Sequence, residues 1–216
     1  MALTAKRPSG SSAAVAISKH AQAWEERYSS SDARYGTEPN DFLVEATRDL
    51  PFSRALCLAD GEGRNGVYLA SLGHEVTSVD LSATGIAKAE ALAEDRGVEL
   101  ATVVADLADY DLGRGQWDLI VSIFAHTPLA TRRRVHSMVC EALVPGGCFV
   151  LEAYTPDQVG RDTGGPSDPE LTMTLAGLTE ELVGLAILHG KELVRPVIEG
   201  PAHTGDGAVV QIIAER

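Results

Sequence analysis

Between Arg54 and Tyr154, short apolar runs alternate with longer stretches of helical spacing. "RALCLAD", "HEVTSVD", "VELATVVAD", "WDLIVSIFA" and "GCFVLEAY" read as five buried strands. Three amphipathic helices are predicted between them. "RNGVYLASLG" stops at Gly73, "SATGIAKAEALAEDRG" starts with Ser82 as its cap, and "LATRRRVHSMVCEAL" is entered near Thr127-Pro128 and ends before a Pro145-Gly146-Gly147 turn. Such alternation predicts an α/β fold, a parallel sheet with helices on both faces.

The flanks follow other rules. "AQAWEERYSS" has Trp24 and Tyr28 one helical turn apart, "RYGTEPNDFL" is broken by Gly36 and Pro39, and "DFLVEATRDL" reads as a helix ended by Pro51. After Tyr154, "ELVGLAILHGKELVRPVIEG" and "GAVVQIIAER" are strand-like runs around the turn-rich "PAHTG", which predicts a C-terminal antiparallel hairpin. Residues 1–20, rich in Ser and Ala, are expected to be a flexible tail rather than an organelle address. Residues 21–216 are expected to form a single domain, with 21–53 as a helical lid.

Composition narrows the functions open to such a fold. The 216 residues carry a formal net charge of -13, which disfavours a nucleic-acid partner and favours a small molecule. No apolar run approaches the roughly 18 residues of a membrane span. The three cysteines, Cys57, Cys140 and Cys148, fit no zinc or redox spacing, so reduced thiols and a cytoplasmic setting are expected, with no metal site.

The candidate chemistry lies after the first strand. Gly61, Gly63 and Gly66 have the spacing G-x-G-x-x-G between a strand and a helix, and Asp80 ends the next strand. Glycines admit a ligand close to the backbone, helix-start amides face its polar groups, and a carboxylate at Asp80 can accept both hydroxyls of a ribose. An adenosine-bearing ligand is expected. Asp106-Leu107 after the third strand, the Pro-Gly-Gly turn and the terminal hairpin argue against a nicotinamide dinucleotide.

With "WEERY…YGTEPNDFL", "LADGEGRNGVYLASLGHEVTSVDLS", "ADL", "WDLIVSIFAH" and "LVPGGCFVLEAY", the chain resembles the class I S-adenosylmethionine-dependent methyltransferases from about Trp24 onward. It is most similar to their small tellurite-resistance-type (TehB-like) group. The resemblance implies a Rossmann-like, mostly parallel seven-stranded sheet with the last strand antiparallel beside the fifth, and S-adenosyl-L-methionine as cofactor. It implies that Gly61 and Gly63 pass under the cofactor, that Asp80 binds the ribose beside Leu81, and that Asp106 and Leu107 hold the adenine. Ser122 and Ile123 would flank the methionine end. The family pattern D-x-G-x-G-x-G is broken here by Cys57 and Ala59, with Asp60 as a partial substitute for the missing charge. Arg64 would either meet the cofactor carboxylate or be a solvated helix-start residue.

Methyl transfer needs alignment more than acid–base help. His126, after the fourth strand, is the first candidate for a base or orienting group, with a structural histidine bonding a loop carbonyl as the alternative. His203, on the hairpin turn, could converge with it. Tyr35, Trp24 or Phe42 could place a ring near the sulfonium. Glu152 and Tyr154 could line the acceptor site, Glu199 is expected to shape the hairpin, and Arg132 to Arg134 are expected to form a solvated face. The implied activity is methyl transfer to a small molecule, either a soft sulfur, selenium or tellurium nucleophile or a metabolite. A non-catalytic cofactor-binding protein and an NAD(P)-dependent oxidoreductase are the alternatives.

Overall fold

The computed structural model describes residues 19–216. The expected tail therefore lies outside the described residues except at Lys19 and His20, which already belong to the first helix.

The elements run α1 (Lys19–Tyr28), α2 (Asp41–Thr47), β1 (Arg54–Leu58), α3 (Arg64–Ser71), β2 (Glu75–Asp80), α4 (Ala83–Arg96), β3 (Ala101–Val104), β4 (Trp117–Ile123), α5 (Leu129–Ala142), β5 (Leu143–Tyr154), α6 (Leu175–Glu181), β6 (Ala186–Ile198) and β7 (Thr204–Glu215). The seven strands form one sheet in the order β3-β2-β1-β4-β5-β7-β6. Strands β1 to β5 are parallel, and β7 runs antiparallel between β5 and β6.

Each central strand is apolar on both faces because helices cover both sides. On β1, Leu56 and Leu58 face a core completed by α5 and α6, while Ala55 and Cys57 face one completed by α2 and α3. On β4, Ile120 joins the first core and Leu119 and Val121 the second, as the two-residue period of a strand requires.

The local signals behave as their chemistry dictates. Ser82 Oγ accepts from Gly85 N at 3.0 Å and caps α4. Gly73, at φ +91, follows α3 as its C′ glycine. Pro145-Gly146-Gly147 differs from expectation. It is absorbed into β5 as an irregularity, since Trp117 pairs with Leu143 and Leu119 with Cys148.

The arginine run is a correction. Only Arg133 is solvated. Arg132 donates from Nε and Nη2 to both carboxylate oxygens of Glu181 on α6, and Arg134 donates to the carbonyls of Leu107 and Tyr110. These contacts bind α5 to α6 and to the segment after β3.

Candidate functional site

The carboxyl ends of β1 to β4 open on a cleft of about 1060 Å³, mouth included. Ala59, Asp60 and Gly61 line it after β1, Asp80 and Leu81 after β2, and Asp106 and Leu107 after β3. The stretch from Ile123 to Pro128 lines it after β4, Trp24, Tyr28 and Tyr35 cover it, and His203 reaches it from the hairpin turn.

The glycine loop and the acid after β2 are one unit. Asp80 Oδ2 accepts from Gly61 N at 2.8 Å and its Oδ1 accepts from Ser82 N at 2.8 Å. Both oxygens keep a lone pair for a further donor. Burial raises the Asp80 carboxyl, and the amides of Ser82, Gly61 and Leu81 oppose that rise. Gly61, at φ +59, has no room for a side chain, since a Cβ would lie 2.5 Å from the Tyr28 hydroxyl.

Gly63 and Ser122 are corrections, because neither lines the cleft. Gly63, at φ +83, lets α3 approach α4, where a Cβ would run into that of Ala89. Ser122 is buried within β4. Gly66 has a related packing role, with Ser78 Oγ and Asp60 where its Cβ would sit.

Ala59, in the place of the family's first glycine, adopts φ +50, and Phe124 adopts φ +51 at the end of β4. Both stand on the cleft wall in a conformation that costs a side-chain-bearing residue about 1–3 kcal/mol. Asp60 only partly answers its expected role. Its Oδ2 turns inward to accept from Ser78 Oγ at 2.5 Å and Gly66 N at 3.2 Å. Burial pushes its carboxyl up to about 7.

Arg64 is neither solvated nor free. Its Nη2 lies 2.5 Å from Glu199 Oε2, and its Nη1 donates to the Glu38 carbonyl at 3.2 Å. Glu199 does more than shape the hairpin, since its Oε1 also accepts from Asn40 Nδ2 and Arg195 Nη2 at 2.8 and 3.2 Å. Glu152 is withdrawn from the wall. It is fully buried and accepts from Arg195, Asn40 and Gln211. Burial would raise the Glu199 carboxyl, yet His203, Arg64 and Arg195 outweigh it and hold it at about 2. Tyr154 is also off the wall, its ring stacked beneath Phe124 at 4.5 Å and its hydroxyl buried without a partner.

The two histidines do converge on the cleft, with unequal freedom. His126 Nδ1 meets the Leu171 carbonyl at 2.8 Å, and its Nε2 faces Tyr154 N at 3.4 Å. Burial lowers its pKa to about 4, against the pull of the Leu171 carbonyl. His203 meets the Tyr35 ring at 4.7 Å with the planes tilted by 57°, and its buried Nδ1 has no hydrogen bond but lies 4.0 Å from Glu199 Oε2. Burial lowers its pKa, partly offset by Glu199.

Two acids that hold the cover had no signal in the sequence. Glu25 accepts from Ala83 N and Thr84 N at the start of α4. Glu62 accepts from Arg34 N and Tyr35 N while paired with Lys88 at 2.7 Å. Phe42, by contrast, is core beneath α2 and does not reach the cleft.

The donor set fits S-adenosylmethionine. Carboxylates suit a diol, an adenine amine and a positive sulfur, and flat and apolar side chains suit the base.

Comparison with known proteins agrees with this geometry. Residues 55–147 match the family described as "Methyltransferase domain". The chain is 28% identical over 117 residues to the 2-heptyl-1-hydroxyquinolin-4(1H)-one methyltransferase of Mycobacteroides abscessus, covering 51% of this chain and 52% of that protein. It is 31% identical over 97 residues to the probable S-adenosyl-L-methionine-dependent methyltransferase TehB of Haemophilus influenzae, covering 45% of this chain and 33% of the relative. The matched stretch thus spans about half of the first relative and a third of the second. Among solved structures, that reported for the conversion of a disulfide bond into a thioacetal group during echinomycin biosynthesis superposes with a TM-score of 0.74 at 20% identity, over 91% of both chains. The crystal structure of TehB from Haemophilus influenzae gives 0.68 at 20% identity, over 89% of this chain and 65% of the other. At such identity these two establish the fold alone.

Proposed function

We propose that this chain is a class I methyltransferase of the TehB-like type and transfers a methyl group from S-adenosylmethionine to a small-molecule acceptor, a reading supported by its match to a methyltransferase domain and its likeness to TehB. The observation that carries the reading is the Asp80 carboxylate, pinned between the Gly61 and Ser82 amides on the floor of a cleft that also holds Asp106 and Leu107.

In this reading Asp80 accepts the ribose hydroxyls, Leu81 and Leu107 sandwich the adenine, and Asp106 accepts from its amine. Gly61, Asp60 and Ile123 border the methionine portion, with the Tyr35 ring nearby. Arg64 is saturated by Glu199 and serves as a brace. Bound there, the cofactor supplies a methyl group on a positive sulfur that is already an excellent leaving group. The chain's task is then to orient the acceptor and exclude water. Residues 21–53 act as the lid of a single domain spanning 21–216, held down by Glu25 and Glu62.

His203 is the better placed of the two histidines to take a proton from the acceptor, because Glu199 stands behind its Nδ1. His126, with both ring nitrogens engaged, positions the wall. The relative from Mycobacteroides abscessus is named for a small-molecule acceptor, which supports that class here. Within it the candidates are a soft sulfur, selenium or tellurium nucleophile, or a metabolite. The free thiols Cys57, Cys140 and Cys148 suit a cytoplasmic location.

A second reading is a cofactor-binding protein without turnover. It draws on Ala59 at φ +50 in a glycine's place and on the inward-turned Asp60. S-adenosylhomocysteine binding, followed by an acceptor screen for its release from S-adenosylmethionine, tests both. Binding with turnover supports the enzyme, binding without turnover on any acceptor supports the second reading, and no binding removes both.

A further inference from the structure

The cleft divides into two chemically different halves. Asp60, Glu62, Asp80 and Asp106 all stand in the half beside β1, β2 and β3. The half beside β4 and the hairpin turn is walled by Phe124, Ala125, His126, Pro128, Thr131 and His203. Among the described residues, no carboxylate lines that second half.

It offers no cation either. Among the described residues, Arg64 is the one arginine or lysine on the cleft wall. Its guanidinium is spent on Glu199 at 2.5 Å and on the Glu38 carbonyl, and the pair is almost fully buried. Lys88 is bound to Glu62 and Arg132 to Glu181. The histidines do not supply the missing charge at neutral pH, since burial lowers the pKa of both. An anion entering this half would lose its hydration and meet no compensating charge.

The wall is also flat. The rings of Phe124 and His126, both on the wall, lie within 25° of parallel with centroids 6.2 Å apart, and the buried Tyr154 ring backs both of them. His203 continues this wall, meeting the Phe124 ring edge-on at 5.0 Å and the tilted Tyr35 ring at 4.7 Å. A wall made of ring faces and edges favours another flat ring.

We propose that the methyl acceptor is an uncharged, flat aromatic or heteroaromatic molecule bearing a protonated O–H or S–H, and not an oxyanion or carboxylate. The proposal rests on the methyl-transfer reading and narrows its substrate class. The step balances without a further reactant. The acceptor's O–H or S–H bond and the cofactor's S–CH3 bond break, and a new bond forms from the acceptor atom to the methyl carbon. The electron pair of the broken S–CH3 bond stays on the cofactor sulfur. The acceptor's proton passes to His203 and then to water.

The test uses the full chain saturated with S-adenosylhomocysteine, titrated calorimetrically at neutral pH with 2-naphthol and with 2-naphthoate. Turnover of 2-naphthol, 2-naphthoate and tellurite is followed in parallel. We expect 2-naphthol to bind at least about tenfold more tightly than 2-naphthoate, as an unpaired buried anion requires. Glu199→Gln, which releases Arg64, should narrow that gap by raising 2-naphthoate affinity. Should Glu199→Gln not fold, Thr131→Lys, which places a cation at the wall, should do the same. Equal or tighter binding of 2-naphthoate, preferential methylation of tellurite, no binding of either naphthalene, or an unchanged gap in the folded variant would each overturn the proposal. Failure of S-adenosylhomocysteine itself to bind would remove the methyl-transfer reading beneath it, and is seen separately in the first titration.

Discussion

Arg64 and Glu199 form a buried pair at 2.5 Å across 135 positions of the chain. The pair joins the start of α3, next to the glycine loop, to the hairpin turn that carries His203. Asn40 and Arg195 extend it to the start of α2 and to Glu152 on β5. The cleft is therefore assembled from distant segments by one charge network.

Removing one member exposes the cost of that arrangement. Arg64→Ala should lower unfolding free energy by about 3 kcal/mol, because a buried carboxylate loses a partner. The change is read as a fall in the urea midpoint at constant slope. An unchanged midpoint would mean that Arg195 and Asn40 satisfy Glu199 without Arg64.

Acid should dismantle the same network. The Glu199 and Glu181 carboxyls lie at about 2 in the fold against an ordinary value of 4.5. A depressed carboxyl contributes stability that is complete above its unfolded pKa and is lost as pH falls toward its folded one. Stability should thus drop between about pH 4.5 and about pH 2. Urea titrations across that window should show the drop, and a flat profile there would contradict the assigned contacts.

Asp60 works in the opposite sense. Its carboxyl rises from 3.8 to about 7 on folding, so the native state holds a proton that the unfolded chain has released. Stability should fall as pH rises through that interval and level off above it. Asp60→Asn keeps an oxygen to accept from Ser78 and Gly66, and should flatten this decline. Persistence of the decline in the variant would assign it to another group.

The two histidines should separate kinetically. His203→Ala should lower kcat by about 10²-fold, the usual scale of a lost proton acceptor, with little change in S-adenosylhomocysteine affinity. His126→Ala should instead cost about 1–3 kcal/mol of stability through the unpaired Leu171 carbonyl, and leave the pH profile of kcat in place. The reverse pattern would return the base to His126.

What the sequence disclosed has a physical boundary. The strand–helix alternation, the Ser82 cap, Gly73 and the Asp80 position are local, set by periods and φ angles that neighbours enforce. The floor of the cleft, which these elements carry, was legible for that reason. The pairs Arg64–Glu199 and Arg132–Glu181 lie 135 and 49 positions apart and carry no period, so their arginines resembled solvated ones. Gly63 shows the converse. Its place in the motif suggested ligand contact, whereas the approach of α3 to Ala89 decides its use. Helix α6 has only seven residues, too short to declare itself by spacing.

Calorimetric titration with S-adenosylhomocysteine, on the native chain and on Asp80→Ala, tests the central claim most directly. The account predicts saturable binding to the native chain, with NADH inert in parallel, and a loss of about 1.5–3 kcal/mol in the variant, the worth of hydrogen bonds to a charged acceptor. Equal affinity in a folded Asp80→Ala, or binding of NADH in place of S-adenosylhomocysteine, would contradict it.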